Sequence, residues 1–249
     1  MRTLVIPDIH NHIDWIEPFL KLVPHDNVVF LGDYFDDFFD TPDDARKTAQ
    51  WLKFSIHQLN RKHIFGNHDI PLAFPHNTNL FCPGFTREKC KAVNSIISKE
   101  EWDEKFDLVY FDQGWTLSHA GFHPAALPYF PDMANMDQAY LARASDEALN
   151  HAACGYKHPL LDQGSRMGFP TKGGCLWLDW SEFKPSPNIN QIVGHTPSSE
   201  IRKHYLPNMK DCISENYCID TNNKHIGVIE NGKFYTIERD SLVAHKYKI

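Results

Sequence analysis

Two carboxylates lie directly after one of the most apolar runs in this sequence. Asp33 and Asp36 follow the run of residues 27–31, and Gly32 stands between the run and the first acid. The run is rich in β-branched and aromatic residues and predicts a buried strand, at whose carboxyl end α/β proteins place their ligands. Carboxylates buried there need a metal ion or a paired cation. The alternative is an acidic, solvated turn, because turns are commonly rich in Asp.

Four further apolar runs end in side chains of metal-binding type. These side chains are Asp8 with His10, Asn67 with His68, His119, and His195. A lone His after a strand is typical of a hydrogen-bonded turn, because imidazole readily satisfies backbone groups. Five such strand ends in succession, on one expected edge of a sheet, exceed what turn chemistry explains.

The donor types indicate which metals would bind. Carboxylate, imidazole and amide donors suit Mn, Fe or Zn better than Ca or a thiolate site. Six candidate ligands also exceed the four of a closed zinc site. The set therefore suits two metals that share one carboxylate, and such pairs are used to clamp in-line displacement at phosphorus.

Strands and helices alternate in the segments that must position these residues. Strands are predicted at residues 3–6, 27–31 and 62–65, with a helix after each of the first two. Asp14 is expected to cap the first helix and Thr41 the second. This order predicts an α/β fold with a parallel sheet, right-handed crossovers and one shared rim of functional loops.

The remaining segments mix helix, hairpin and loop. Helices are predicted at residues 41–60, 86–105 and 135–153, and irregular loops at residues 71–85 and 155–174. Short strands are predicted at residues 175–178, 191–193 and 218–220. Hairpins are predicted over residues 108–118 and 225–238, the second on the Asn-Gly turn signal between two apolar runs.

Composition narrows the class of protein. The 249 residues fit one large α/β domain, and the sequence shows no internal repeat or linker. A formal charge of −7 argues against non-specific binding to nucleic acid. Six cysteines without a C-x-x-C pair, and no visible targeting segment, predict reduced thiols in a cytoplasmic protein. No apolar run approaches membrane length, so no membrane association is expected.

Five short motifs stand in order along residues 8 to 196. They are Asp8-Ile9-His10, Gly32-Asp33-Tyr34-Phe35-Asp36, Gly66-Asn67-His68-Asp69, Ser118-His119-Ala120-Gly121 and Gly194-His195-Thr196. In type, order and rough spacing they resemble the motifs of the calcineurin-like metallophosphoesterases, most closely those of small bacterial and phage members of the phosphoprotein-phosphatase branch. The resemblance implies a β-sandwich of two mixed sheets flanked by helices. It implies one domain over residues 1–249, to which residues 125–174 could add a lid.

The resemblance also implies a role for each motif residue, and two divalent metal ions, with manganese favoured over iron or zinc. One metal would be bound by Asp8 and His10, the other by Asn67, His119 and His195, and Asp33 would bridge both. A hydroxide between the metals would attack phosphorus in line. His68 would protonate the leaving oxygen, and Asp36 would hold the His68 imidazole in the right tautomer.

Two positions depart from the phosphoprotein-phosphatase pattern. Asp37 stands where that branch carries an Arg that grips substrate phosphate, and no Arg closely follows the pair Leu176-Trp177. Asp cannot replace the bidentate hydrogen bonds of Arg. Arg166, in the Gly-rich loop, is the candidate substitute, and an ordinary solvated Arg is the alternative interpretation of that residue.

These departures argue against a phosphoprotein substrate. The leading prediction is a phosphomonoesterase that acts on a small molecule or nucleotide. A phosphodiesterase or a dinucleoside-polyphosphate hydrolase is the alternative enzyme. A metal-binding scaffold without activity is the alternative from another class of protein. A scaffold would have no need of His68 beside Asp36, so the complete motif set speaks against it.

Overall fold

Two mixed sheets flanked by helices make up the described part of the chain, which confirms the predicted fold class. The computed structural model describes residues 1–37, 39–127, 137–187, 189–205 and 214–241. The predicted lid segment is described only in part, because residues 128–136 lie outside these ranges. Among the described residues, no helix has the length and apolar character needed to cross a membrane.

The first sheet has the strand order β11-β10-β1-β2-β3-β4. Its strands are β1 (Arg2–Ile6), β2 (Asn27–Phe30), β3 (Arg61–Ile64), β4 (Phe106–Asp107), β10 (His225–Glu230) and β11 (Lys233–Glu238). Strands β1 to β4 are parallel, as the alternation of strands and helices predicts. The hairpin of β10 and β11 adds to the free edge of β1 in antiparallel direction.

The second sheet has the strand order β5-β6-β7-β9-β8. Its strands are β5 (Tyr110–Asp112), β6 (Trp115–Leu117), β7 (Asn190–Val193), β8 (Arg202–Tyr205) and β9 (Glu215–Cys218). The central strands β6, β7 and β9 are parallel, and the outer strands β5 and β8 are antiparallel to their neighbours. The carboxyl ends of β6 and β7 therefore lie at one edge of this sheet.

Four of the six described α-helices start at a residue whose side chain caps the helix, and two do not. They are α1 (Ile16–Leu22), α2 (Pro42–Ile56), α3 (Ile70–Ala73), α4 (Arg87–Asn94), α5 (Lys99–Lys105) and α6 (Gln138–Ala153). Thr41 caps α2 in a capping box, as predicted. The prediction that Asp14 caps α1 is wrong, because Trp15 holds the N-cap position without a side-chain cap.

Other predictions about elements are wrong as well, and the strand predicted over residues 218–220 lies earlier in the chain, at Glu215–Cys218. The single helix predicted over residues 86–105 is two helices, because Ser98 starts α5 with a capping box of its own. The strand predicted over residues 175–178 is a series of turns, in which the N–H of Leu178 donates to the carbonyl of Gly174. These residues are apolar because they are buried, and burial alone does not make a strand.

The two sheets pack face to face through apolar side chains. Val5, Val29 and Ile64 from the first sheet contact a layer that includes Leu117 and Ile192 from the second. The opposite face of the first sheet packs on a larger apolar cluster that includes the helices. Burial on both faces explains why the parallel strands read as continuous apolar runs in the sequence.

Candidate metal centre

The candidate ligands come from the carboxyl ends of strands in both sheets. Asp8, Asp33 and Asn67 follow β1, β2 and β3 of the first sheet, while His119 and His195 follow β6 and β7 of the second. All five side chains are almost fully buried. The site therefore lies where the strand ends of the two packed sheets meet, which is the edge that ligands occupy in α/β proteins.

Several residues of the site have a backbone conformation that residues other than glycine rarely adopt. His10, Asp33, Asp36 and His195 have φ angles of 45°, 51°, 64° and 69°. A non-glycine residue in this left-handed region costs about 1–3 kcal/mol. The carbonyl of Asp33 accepts hydrogen bonds from the N–H groups of Ile9 and His10, which holds two of these turns together. Such strain persists only where the surrounding structure enforces it, and it clusters at functional sites.

Two glycines let the backbone approach the carboxylates closely. A Cβ atom on Gly66 would lie 2.1 Å from Oδ1 of Asp33, and one on Gly194 would lie 2.1 Å from Oδ1 of Asp8. Both distances are far below any tolerated contact, so each motif requires glycine in front of its ligand residue.

Two groups of possible ligands share Asp33. Asp8, His10 and Asp33 form one group, and Asp33, His119 and His195 form the other; within each, the ligand atoms lie within 4.8 Å of one another. Oδ2 of Asp33 lies 3.7 Å from Nε2 of His10 and 3.3 Å from Nε2 of His119. The shared carboxylate predicted from the sequence thus stands between the two groups.

Hydrogen bonds to the backbone aim the imidazoles into the site. Nδ1 of His119 lies 2.9 Å from the carbonyl of Leu31, and Nδ1 of His10 lies 2.8 Å from the carbonyl of Asp36. Because a carbonyl only accepts, Nδ1 carries the proton in both rings, and in the neutral ring Nε2 presents its lone pair to the site. Nε2 of His119 also lies 3.0 Å from Oδ1 of Asn67, the amide predicted as a ligand.

The residues present fit divalent cations. In the described part of the chain, neither Asp8 nor Asp33 forms an ion pair with Lys or Arg, although both carboxylates are buried. Nε2 of His195 is buried without a hydrogen-bond partner among the described residues. Buried charges and orphaned nitrogens are costly unless a cation binds them. The carboxylate, imidazole and amide donors are those that Mn, Fe and Zn accept.

The pKa values of the imidazoles show the same preference of the site for positive charge. Burial lowers the pKa of His119, but the charges of Asp33 and Asp8 outweigh it and raise that pKa to about 9. Burial lowers the pKa of His195 well below its usual value, and the neighbouring His119 and Arg166 add to this effect. The carboxylates of Asp33 and Asp8 therefore favour a positive charge between them.

His68 lies at the rim of the site beside Asp36. Nδ1 of His68 is 3.1 Å from Oδ2 of Asp36, and its backbone N–H donates to Oδ1 of Asp33 over 3.0 Å. Sγ of Cys82 lies 3.5 Å from the same ring nitrogen. Burial lowers the pKa of His68, but the charge of Asp33 and the hydrogen bond to Asp36 raise it well above the usual value. Asp33 and Asp36 thus both favour the protonated form of this imidazole.

Sequence reasoning assigned no role to Asp69, which is fully buried under the site. Its Oδ2 accepts the N–H groups of Asp33 and Gly66, over 2.7 and 2.8 Å, and its Oδ1 accepts the N–H of Tyr34 over 2.9 Å. One carboxylate thus fixes the turns after β2 and β3. The signal for it was present in the sequence, as the fourth residue of the Gly66-Asn67-His68-Asp69 motif.

Arg166 is the predicted phosphate-binding residue, and it lies next to His195. Its Nη1 is 3.4 Å from the carbonyl of His195 and 3.8 Å from Oδ2 of Asp179. About a third of the side chain is exposed (32 %), so the guanidinium can reach a ligand. Asp37 stays outside the metal groups and lies 3.6 Å from Nε2 of His12.

The fold and this site define a family. The family model described as calcineurin-like phosphoesterase matches residues 1–220, and the chain belongs to this family. It is therefore a phosphoric ester hydrolase of a metal-dependent family, which confirms the predicted resemblance and enzyme class. No curated protein matches the chain.

One solved structure shares the fold at low sequence identity, and two others are more weakly similar. A cold-active protein tyrosine phosphatase has a TM-score of 0.53 and 15 % identity, with 97 % of this chain and 80 % of that chain covered. A protein serine/threonine phosphatase from Saccharomyces cerevisiae has a TM-score of 0.46 and 12 % identity, over 96 % and 80 % of the two chains. A 5′-nucleotidase precursor from Thermus thermophilus has a TM-score of 0.44 and 12 % identity, over 98 % and 58 %. The first similarity supports the fold, and the other two are too distant to carry an argument.

Proposed function

We propose that this phosphoesterase hydrolyses phosphomonoesters at a centre of two divalent metal ions. The observation that carries the proposal is the pair of ligand groups that share Asp33. The proposed ligands are Asp8, His10 and Asp33 for one metal, and Asp33, Asn67, His119 and His195 for the other. Manganese is the favoured metal, with iron or zinc as alternatives.

The chain's own residues would position the reacting groups. When bound, the two cations would supply a water nucleophile at neutral pH and neutralise the charge of the phosphoryl group. Asp33 would keep the cations together, because its carboxylate faces both ligand groups. His10 and His119 would each offer Nε2, since the backbone carbonyls bind Nδ1.

His68 would donate a proton to the leaving oxygen. Its pKa is raised, and Asp36 holds Nδ1, so the ring presents Nε2 to the site. The proton would pass from His68 to the alkoxide as the bond between phosphorus and oxygen breaks. General acids in such positions typically accelerate reactions by about 10²–10⁴-fold.

Arg166 would bind a free oxygen of the phosphoryl group. A phosphomonoester carries one more anionic oxygen than a diester and gains more from an additional cation. Arg166 is the cation beside the second ligand group, since it lies against His195 and lowers that residue's pKa. A small molecule or a nucleotide is the proposed substrate, because Asp37 replaces the Arg with which protein phosphatases grip phosphate.

Metal content and substrate preference, measured together, test the proposal. We expect two metals per chain and Mn-dependent turnover of p-nitrophenyl phosphate in preference to bis-p-nitrophenyl phosphate. Preference for the diester, or for a dinucleoside polyphosphate, would replace the monoesterase with one of those activities. Two bound metals without turnover of any of these substrates would favour a scaffold. One metal or none would contradict the bridging role of Asp33.

A further inference from the structure

A buried lysine lies behind the proposed proton donor. Lys89, on α4, has only 7 % of its surface exposed. Its Nζ is 2.8 Å from Oδ1 of Asp36 and 2.6 Å from Oδ1 of Asp40. Both of these carboxylate side chains are buried as well, at 5 % and 3 % exposure. Lysine side chains are almost never fully buried unless they are paired with acids, so the burial of Lys89 needs an explanation.

The two oxygens of Asp36 have different partners. Oδ2 lies beside Nδ1 of His68, and Oδ1 accepts a hydrogen bond from Lys89. A carboxylate bound at one oxygen cannot rotate without losing that bond, so Lys89 fixes which oxygen faces His68. The order along the contacts is His68, Asp36, Lys89 and Asp40.

The contacts continue from Asp40 to the loop of the first ligand group. Oδ2 of Asp40 accepts a hydrogen bond from Nδ2 of Asn11 over 3.1 Å, and Asn11 directly follows His10. Oδ1 of Asn11 in turn accepts from Oγ1 of Thr48 over 2.8 Å. Lys89 thus stands in the middle of a line of polar contacts that joins the proposed proton donor to a proposed metal-binding loop.

Lys89 also balances charge. In the described part of the chain, Asp40 forms an ion pair with Lys89. Asp36 forms ion pairs with both Lys89 and His68. Burial lowers the pKa of Lys89, but its hydrogen bonds to Asp36 and Asp40 raise it above the usual value, so the ammonium stays charged. Without it, two buried carboxylates would repel each other beside His68.

We infer that Lys89 is a positioning residue for proton donation by His68. Among the described residues its ammonium contacts Asp36 and Asp40 rather than a proposed metal ligand, and it acts by holding the Asp36 carboxylate against Nδ1 of His68. This inference rests on the proposed function, because it assumes that His68 protonates the leaving oxygen. Position 89 lies outside all five family motifs of this sequence.

The test uses substrates that need a general acid to different degrees. p-Nitrophenolate leaves readily without a proton, whereas an alkoxide such as that of glycerol 2-phosphate does not. The main variant is Lys89→Met/Asp40→Asn, which removes the contact with Asp36 and one buried charge of each sign. Lys89→Met alone leaves a buried carboxylate unpaired and is the variant at risk of unfolding. Lys91→Met, at an exposed position of the same helix, is the matched control.

We expect the double variant to lose kcat on glycerol 2-phosphate by about tenfold or more, with KM unchanged. On p-nitrophenyl phosphate we expect a loss of less than about threefold. Lys89→Arg, which keeps a charged donor, should retain more activity on the alkyl substrate than the double variant. A second readout needs no turnover: the downfield proton resonance of His68 Nδ1, assigned with His68→Ala, should shift or broaden in the double variant.

The outcomes separate this inference from the proposed function. If wild type hydrolyses both substrates and the double variant loses both equally or neither, Lys89 does not position Asp36, and the proposed function still stands. An unchanged His68 Nδ1 resonance would also overturn the inference. If wild type hydrolyses neither substrate with metals bound, the proposed function fails and the inference fails with it.

Discussion

The Asp69 carboxylate accepts a hydrogen bond from the backbone N–H of Asp33 across 2.7 Å, although α2 and β3 lie between them in the chain. This contact fixes the turn that carries the carboxylate shared by both ligand groups. The same Asp69 accepts N–H groups from Tyr34 and Gly66. The geometry of the metal centre therefore depends on an acid that is not itself a proposed ligand.

Asp69→Asn should destabilise the protein and weaken metal binding. In the wild type both carboxylate oxygens of Asp69 accept backbone N–H groups. In the variant one oxygen is replaced by an NH₂ donor, so at least one buried N–H group loses its acceptor, which costs about 1–3 kcal/mol. Urea denaturation measures the loss of unfolding free energy, and calorimetric titration with Mn measures affinity. Asp146→Asn, at an exposed helix position, is the control and should change neither. An Asp69→Asn protein with wild-type stability would contradict the argument.

Asp33→Asn should lower the metal content from two ions to one or none. The neutral amide cannot bind two cations as a carboxylate does, and the negative charge that offsets them is lost. Elemental analysis of purified protein gives the content, and kcat on p-nitrophenyl phosphate should fall by about 100-fold or more. Asp37→Asn, in the same loop but with a side chain 43 % exposed, should keep both metals.

His68→Ala should keep the metals and lose activity selectively. Because the proposed role is to protonate the leaving oxygen, kcat on an alkyl phosphate should fall by about 10²–10⁴-fold. The loss on p-nitrophenyl phosphate should be much smaller. Equal activity of variant and wild type on the alkyl phosphate would remove His68 from the mechanism.

Arg166→Ala should raise KM for a phosphomonoester by about tenfold, since a hydrogen bond between charged groups is lost. The effect on a phosphodiester should be smaller, because the diester lacks one anionic oxygen. Arg166→Lys keeps the charge without the planar fork and should recover only part of the affinity. Steady-state kinetics on both substrates decide the matter, with the exposed Arg143→Ala as control. An equal rise of KM on both substrates would mean that Arg166 does not bind the additional anionic oxygen of the monoester.

Acid should destabilise the fold through His63, which lies on β3 beside β2 rather than among the proposed ligands. Burial, followed by the charge of Arg61, lowers the pKa of His63 from 6.5 to about 3. Its ring nitrogens lie 3.0 Å from the Tyr34 hydroxyl and 3.2 Å from that of Ser55. Between these two pH values, His63 is therefore protonated in the unfolded chain and neutral in the folded chain. The stability due to neutral His63 is complete above pH 6.5 and is lost as pH falls from 6.5 towards 3.

The slope should reach about 1.4 kcal/mol per pH unit for this one proton. His63→Gln can satisfy both hydroxyls without titrating, so its unfolding free energy should depend less steeply on pH over this range. Urea denaturation at several pH values compares the two proteins. Identical slopes would mean that another group accounts for the acid sensitivity.

The ligand arrangement was predictable because each motif is local and follows an apolar run. The parallel strands of two sheets packed face to face bring their carboxyl ends to one edge, so Asp8, Asp33 and His119 converge without further information. The roles of Asp69 and Lys89 were not predictable in this way. Each acts through contacts with residues distant in the chain, and neither lies in an apolar pattern that signals burial.

Burial also explains the errors in the predicted elements. Residues 175–178 are apolar because they pack under the site, where Trp177 lies against His195 with ring centroids 6.0 Å apart. A short apolar run does not distinguish such a buried turn from a strand. Strand β8 went unpredicted for the opposite reason. It pairs with β9 alone and is half exposed, so its residues Arg202–Tyr205 are largely polar.

The position of β1 in its sheet has a consequence for synthesis on the ribosome. β1 pairs with β2 on one side and with β10 on the other, and nearly the whole described chain separates β1 from β10. While translation proceeds, one edge of β1 has no partner, and an open apolar edge is prone to pair with other chains. Chaperone protection of the nascent chain should therefore matter until β10 emerges, when the hairpin of β10 and β11 completes the first sheet.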